Sequence, residues 1–329
     1  MMNLKIKNFL KYSFIFFLIS AQFGSDLIAY SFIKKSNKKF DKLNYLIRKE
    51  DYETARNILY EFIEKNYNIG YSFLLIGDIF FKENNFLEAR KYYEKALEKV
   101  KNKKIRGIIY NNLTDTYIDK SEISYAIRIL KEAIITENFN EGTYIRLANF
   151  YYILGFYDDA LDNYSLAYNL NPYNEYTNFN IAVLNTMKLD YETAINFYKN
   201  ILILNPLFYS AKLNLVKLYI KTGDIDIAYS LLIEMDEVFV NYDIKILLGE
   251  IYYKRTNYLK SYEFYKSSLY LAFNAHEFRD LKIKDSLIGL YSIAVKIDDK
   301  NLKKEIRNFY NKNFDMNNYL DKIDLIFNF

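Results

Sequence analysis

Residues 144–172 read YIRLANFYYILGFYDDALDNYSLAYNLNP. Apolar residues recur at three- and four-residue spacing on both sides of a central glycine, which predicts two amphipathic helices joined by a tight turn. Tyr144, Leu147, Ala148 and Tyr151 form one face; Tyr157, Ala160, Leu161 and Tyr164 form the other. A small residue on each helix, Ala148 and Ala160, lets the two backbones approach while aromatic neighbours fill the flanks. Gly155 sits in the turn, where a left-handed conformation suits glycine. Pro172 biases Asn171 away from helix and so ends the second helix.

The same pattern recurs along the chain. Ala55, Ala89, Ala126, Ala160, Ala194, Ala228 and Ser261 hold the small position of the second helix, at spacings of 34 residues with one step of 37 and one of 33. Four residues after each stands Leu59, Tyr93, Leu130, Tyr164, Tyr198, Leu232 or Tyr265. Twelve residues before each stands Leu43, Gly77, Thr114, Ala148, Ala182, Val216 or Gly249. Both prolines of the chain, Pro172 and Pro206, follow Leu-Asn at equivalent positions, and Gly223 repeats the turn glycine. The long step coincides with the basic run Lys99 to Arg106, which is read as an extended helix end and turn.

Composition agrees with this reading. Of 329 residues, 51% are hydrophobic, enough for a packed core. Two Pro and nine Gly suit long helices with short links rather than a turn-rich β fold. The absence of Cys excludes disulfides, thiolate metal sites and a Cys nucleophile. There are 45 basic residues against 41 acidic, and three of the 45 (Lys5, Lys7, Lys11) precede an apolar run, so the body carries no nucleic-acid footprint.

The period, the small residue bounded by aromatics and the terminal proline resemble the tetratricopeptide repeat family. The resemblance covers residues 36–273 as about seven repeats and implies an all-α fold, an α-solenoid in which antiparallel helix pairs wind into a right-handed superhelix. The family's early Trp is absent; Phe73, Tyr110 and Tyr144 take its place in three repeats. Residues 274–329 are read as a degenerate eighth helix pair, from 278 to 313, followed by an apolar tail (Tyr319, Leu320, Ile323, Ile326, Phe327) that caps the open end or docks on a partner.

Ahead of the repeats, the three lysines and the run Tyr12 to Ala21, with Ile19-Ser20-Ala21 as a cleavage site, are read as an export signal over residues 1–21. Extension of the apolar stretch through residues 12–33 makes a retained membrane anchor the alternative. Residues 22–35 form a linker. A third reading is a cytoplasmic protein whose apolar start is a first helix.

No GxGxxG, Walker loop, HExxH or GxSxG motif occurs. His276 is alone, and the acid pairs Asp158-Asp159 and Asp298-Asp299 open helices, where they are expected to cap backbone N–H groups. No enzyme, cofactor, metal or small-molecule substrate is therefore expected. The resemblance implies instead a protein-binding scaffold whose concave groove, lined by the first helix of each pair, takes an extended peptide or partner helix. The candidate groove contacts are Asn112, Asn149, Tyr152, Asn180 and Asn214. Asn112, Asn180 and Asn214 are similar to the asparagine ladder of O-GlcNAc transferases, with Arg146 interrupting it; amides both donate to and accept from an extended backbone. Tetratricopeptide modules that clamp terminal carboxylates need cations around two asparagines. Asn149 and Asn180 match those asparagines, but Ile145, Ser210 and Asn214 replace the cations, which argues against that ligand. The alternatives are a cytoplasmic adaptor and a structural subunit of an envelope assembly.

Overall fold

A computed structural model of the chain describes residues 38–117, 121–136, 140–238, 241–275 and 279–313. The export or anchor segment, His276 and the tail beyond 313 lie outside these residues. The described residues form sixteen helices and no strand. They are α1 (Lys38–Arg48), α2 (Tyr52–Glu64), α3 (Ile69–Lys82), α4 (Phe86–Lys99), α5 (Lys103–Asp115), α6 (Ile123–Thr136), α7 (Glu141–Leu154) and α8 (Tyr157–Leu170). They continue as α9 (Glu175–Met187), α10 (Tyr191–Leu204), α11 (Tyr209–Thr222), α12 (Ile225–Val238), α13 (Tyr242–Lys254), α14 (Tyr258–Phe273), α15 (Arg279–Lys296) and α16 (Lys300–Asn313). The chain divides into two compact units, the first ending at Pro206 with α1–α10 and the second beginning at Leu207 with α11–α16. Each is an all-α stack of helix pairs, the solenoid class that the repeat predicts. Odd-numbered helices are the first of each pair.

The small positions meet as expected. Ala148, Ala160, Ala182 and Ala194 are fully buried, and Ala148 and Ala160 share a core cluster with Tyr164, Ile181 and Leu184. Where glycine holds the first-helix position, the partner tyrosine presses against it: a β-carbon on Gly77 would stand 2.6 Å from Tyr93 Cε1. In the second unit the Tyr265 ring lies against both Gly249 and Gly289.

Turns follow from local chemistry. Gly155 and Gly223 take φ of +85° and +96°. The corresponding turn position is also left-handed at Glu50, Asn84, Leu189 and Thr256, so the turn geometry is fixed and glycine merely adopts it at least cost. Asn171 and Asn205, each before a proline, are extended and end α8 and α10. Their side chains reach back to the first residue of the same pair's first helix, Asn171 Nδ2 to Glu141 at 2.9 Å and Asn205 Nδ2 to Glu175 at 3.1 Å. Asparagine also starts helices: Asn102, Asn140, Asn174 and Asn257 accept from the backbone N–H three residues on.

Two local expectations are revised. Asp158 and Asp159 do not cap α8, whose N-cap is Phe156; they occupy its first turn, and Asp158 pairs with Lys188 at 2.7 Å. Asp299, by contrast, does accept from Leu302 N at 2.9 Å. The extra residues of the 37-residue step do not lengthen the basic run. α4 stops at Lys99 and Asn102 already caps α5, which ends eleven residues before Ala126, whereas α7 ends six before Ala160. The surplus falls in the connection after α5. There Arg90 of α4 donates to the Thr116 carbonyl at 2.9 Å and to Thr116 Oγ1 at 3.0 Å, pairs with Glu122, and lies 3.9 Å above the Tyr117 ring. These contacts tie the C-terminal end of α5 to α4.

Candidate functional site

The second helix of each pair buries only a narrow stripe of small and aromatic residues, whereas the more deeply buried first helices carry the polar residues that the repeat register puts in line. In the first unit these are Asp78 from α3, Asn111, Asn112 and Asp115 from α5, Arg146 and Asn149 from α7, and Asn180 from α9. These side chains bind one another across repeats. Asp78 Oδ1 accepts from Tyr93 OH at 2.8 Å within its own pair and from Asn112 Nδ2 at 2.9 Å from the next. Arg146 holds Asp115 with a fork, Nε at 2.9 Å and Nη2 at 2.8 Å. Asn149 Oδ1 accepts from the hydroxyls of Tyr164 and Tyr176, the latter at 2.8 Å. Asn180 Nδ2 donates to the Tyr176 carbonyl at 2.9 Å.

The five residues expected to face a partner are therefore embedded in the wall. Asn112, Asn149, Asn180 and Asn214 are only 9%, 9%, 2% and 8% exposed. Tyr152 is half-buried, its ring 5.4 Å from Tyr157 in an edge-on contact, and burial raises its hydroxyl above the usual tyrosine range. Burial likewise pushes Tyr176 up to about 12, with hydrogen bonds from its surroundings opposing the shift, and raises Tyr164 well above its ordinary value. Asn149 and Asn180 meet through Tyr176. Asn112 belongs to a separate cluster with Asp78, and Asn214 lies on α11 in the second unit.

The sequence reading missed Asp78, Asn111 and Tyr176. The signal for the first was present: Tyr93 and Tyr164 each lie fifteen residues after the wall residue they bind, Asp78 and Asn149, so the repeat register pairs them.

In the second unit the matching position is Lys217 on α11. Burial lowers its ammonium to about 8, against the opposing pull of Asp243, Glu250 and Asp285. Elsewhere in this unit Asn241 Nδ2 donates to Tyr209 OH at 2.7 Å, and Tyr242 OH donates to the Lys282 carbonyl at 3.0 Å. Among the described residues no group of three or more His, Cys, Asp or Glu is placed to hold a metal ion.

No family model matches the chain. A TPR repeat-containing protein of Methanocaldococcus jannaschii is 24% identical over 277 residues, covering 82% of this chain and 46% of that protein. The photosystem I assembly protein Ycf3 of Cyanophora paradoxa is 33% identical over 114 residues, covering 33% of this chain and 66% of that protein. The chain thus spans less than two thirds of the length of either relative. Among solved structures, the C-terminal part of a TPR repeat-containing protein from Cytophaga hutchinsonii superposes with a TM-score of 0.58 at 16% identity, covering 74% of this chain and 99% of that one. Pseudomonas aeruginosa PilF gives 0.51 at 15% identity, covering 65% and 97%. At these identities the structural likeness speaks for the fold.

Proposed function

We infer from this chain's membership of the tetratricopeptide repeat family that it is a protein-interaction scaffold, holding an extended segment of a partner against the first-helix wall. The observation that carries the reading is the polar row from Asp78 to Asn180. Buried amides and ion pairs stabilise a fold no better than apolar side chains of similar volume, so stability alone gives no reason to keep them in line across four successive first helices. A wall of amides, carboxylates and tyrosine hydroxyls gives an extended peptide what its backbone needs, donors and acceptors at repeating intervals. On this reading Asn112, Asn149 and Asn180 back that wall in the first unit, with half-buried Tyr152 at its face, and Asn214 is their counterpart in the second.

A photo-crosslinking phenylalanine analogue in place of Tyr152 tests this in cells, its aromatic ring keeping the contact with Tyr157. The expected result is a cross-linked partner peptide from position 152 and none from position 166, where Leu166 is exposed on α8. The opposite pattern overturns the reading.

The scaffold's address is proposed from the chain's start. Lys5, Lys7 and Lys11 ahead of Tyr12 to Ala21 support export, with cleavage after Ala21 or retention through residues 12–33. Among the described residues no helix is long and apolar enough to cross a membrane. Amino-terminal sequencing of fractionated cells should find a chain beginning at Gln22, or an intact chain in the membrane fraction. An intact chain in the cytoplasm contradicts export.

A further inference from the structure

Tyr60 on α2 and Tyr92 on α4 meet hydroxyl to hydroxyl at 3.1 Å, although 32 residues separate them along the chain. The contact joins the second helices of two successive pairs of the first unit. Tyr60 is 37% exposed, and Tyr92 is half-buried with its ring stacked on Phe80 at 5.4 Å. Burial, reinforced by the hydrogen bond to Tyr60, raises the Tyr92 hydroxyl to about 12, so this phenol keeps its proton at neutral pH. The next repeats hold Glu94 and Ile129, then Lys131 and Asn163, at the same two positions. The repeat pattern therefore does not call for two tyrosines here. In the second unit the hydroxyls of Tyr229 and Tyr252 also stand 3.1 Å apart. There, however, Tyr252 is only 8% exposed and the Arg255 guanidinium lies 4.4 Å above the Tyr229 ring.

A phenol loses one electron at a time, and the resulting radical shares its unpaired spin between the oxygen and the ring carbons flanking it. Two side chains that already touch through their hydroxyls need only a small rotation to bring those ortho carbons together. We propose that Tyr60 and Tyr92 are a site of oxidative tyrosine coupling, a modification that fastens the first hairpin to the second. The oxidant is a peroxide, acting through a one-electron peroxidase. Each phenol gives up its hydroxyl hydrogen atom, a carbon–carbon bond forms between the two ortho positions, and the displaced ring hydrogens return to the oxygens. One hydrogen peroxide takes up the two hydrogen atoms and leaves as two waters. The pair in the second unit reacts less, because Tyr252 is shielded and the Arg255 cation opposes loss of an electron from Tyr229. The chain has no Cys, so disulfides cannot supply such a tie. A covalent link across this loop restricts the unfolded chain and so stabilises the two pairs that it joins.

The test treats the dilute intact chain with a haem peroxidase and an equimolar amount of hydrogen peroxide. Dityrosine is followed by its fluorescence, and proteolytic peptides are mapped by mass spectrometry. The expected result is a linked pair of peptides containing Tyr60 and Tyr92, lighter than their sum by two hydrogen atoms, from chain that runs as a monomer on a denaturing gel. Tyr60→Phe and Tyr92→Phe should each lose most of the monomer's dityrosine fluorescence, whereas Tyr229→Phe should keep it. The linked wild type should melt at a higher temperature than the untreated chain, and Tyr60→Phe treated alike should not. Dityrosine confined to cross-linked dimers, a different linked pair as the main product, or undiminished fluorescence in Tyr60→Phe overturns the proposal. A linked chain that melts as before overturns the fastening. Each of these outcomes leaves the scaffold reading standing, because the pair lies on second helices and the wall on first helices.

Discussion

The Ser261 hydroxyl donates to the Gly249 carbonyl at 2.7 Å, joining the two helices of the seventh pair at the positions that the repeat reserves for small side chains. Ser261 is fully buried, so the bond is made inside the seam rather than at its edge. What six other pairs achieve by close packing of Ala, Gly, Thr, Val or Leu, this pair achieves with an added hydrogen bond. The seam is thus a steric requirement, and its tightness can be measured.

Replacing Ala160 by Leu should cost about 1–3 kcal/mol, because the side chain has no space against Ala148. Gly77→Ala should cost a similar amount although alanine favours helix by roughly 1 kcal/mol, since the new β-carbon stands 2.6 Å from Tyr93. Urea midpoints measure both, and a stabilised Gly77→Ala would show that the Tyr93 ring yields freely.

At the left-handed turn positions the sign reverses. Leu189 and Thr256 hold φ of +66° and +59°, conformations that cost a side-chain-bearing residue about 1–2 kcal/mol. Leu189→Gly and Thr256→Gly should each stabilise the fold by up to about 1 kcal/mol, the glycine's extra unfolded-state entropy offsetting part of the relief. Thermal melting decides it.

Asn149 has a double duty. Asn149→Ala leaves two tyrosine hydroxyls without their acceptor and should destabilise by about 1–3 kcal/mol. In the Tyr176→Phe background the same change should cost less, because one of those hydroxyls is gone. The double-mutant cycle should give a coupling above about 0.5 kcal/mol; strict additivity would mean that the Tyr176 contact contributes nothing.

Lys217 predicts a pH dependence in the second unit. Its folded-state value, near 8, lies below its ordinary 10.5, so between these the unfolded chain binds the additional proton and stability rises with pH. The rise is at most about 1.4 kcal/mol per pH unit and begins near pH 8. Raised tyrosine values such as that of Tyr209 act in the opposite direction closer to 10, so the window to measure is roughly pH 8 to 9.5. Lys217→Met should be flat there, and an unchanged slope in that variant rules the lysine out as the source.

The fold was legible because its determinants are periodic. Small residues, flanking aromatics, turn glycines and prolines all sit at register positions, and each names one contact. The wall was only half legible. Register placed Asn112, Asn149 and Asn180 on first helices, but could not show that Tyr164, Tyr176 and Asp78 already engage the first two. That depends on how far a tyrosine on one helix reaches toward another. Asparagine abundance was also ambiguous in sequence, because the same residue caps helices at Asn140 and Asn174, ties a turn to Glu141 at Asn171, and lines the wall at Asn180. The 37-residue step showed that something was inserted, but only helix boundaries located it after α5.

Tyr93 binds Asp78, and Tyr164 binds Asn149, each within its own hairpin. Each of these wall residues also takes a second bond from the following hairpin, Asn112 on Asp78 and Tyr176 on Asn149, so its orientation is shared between two repeats. A chimera that exchanges one hairpin should therefore keep the inner bond intact and tolerate the swap only where the following hairpin supplies a matching donor, so modules of this stack are interchangeable in neighbouring couples rather than singly.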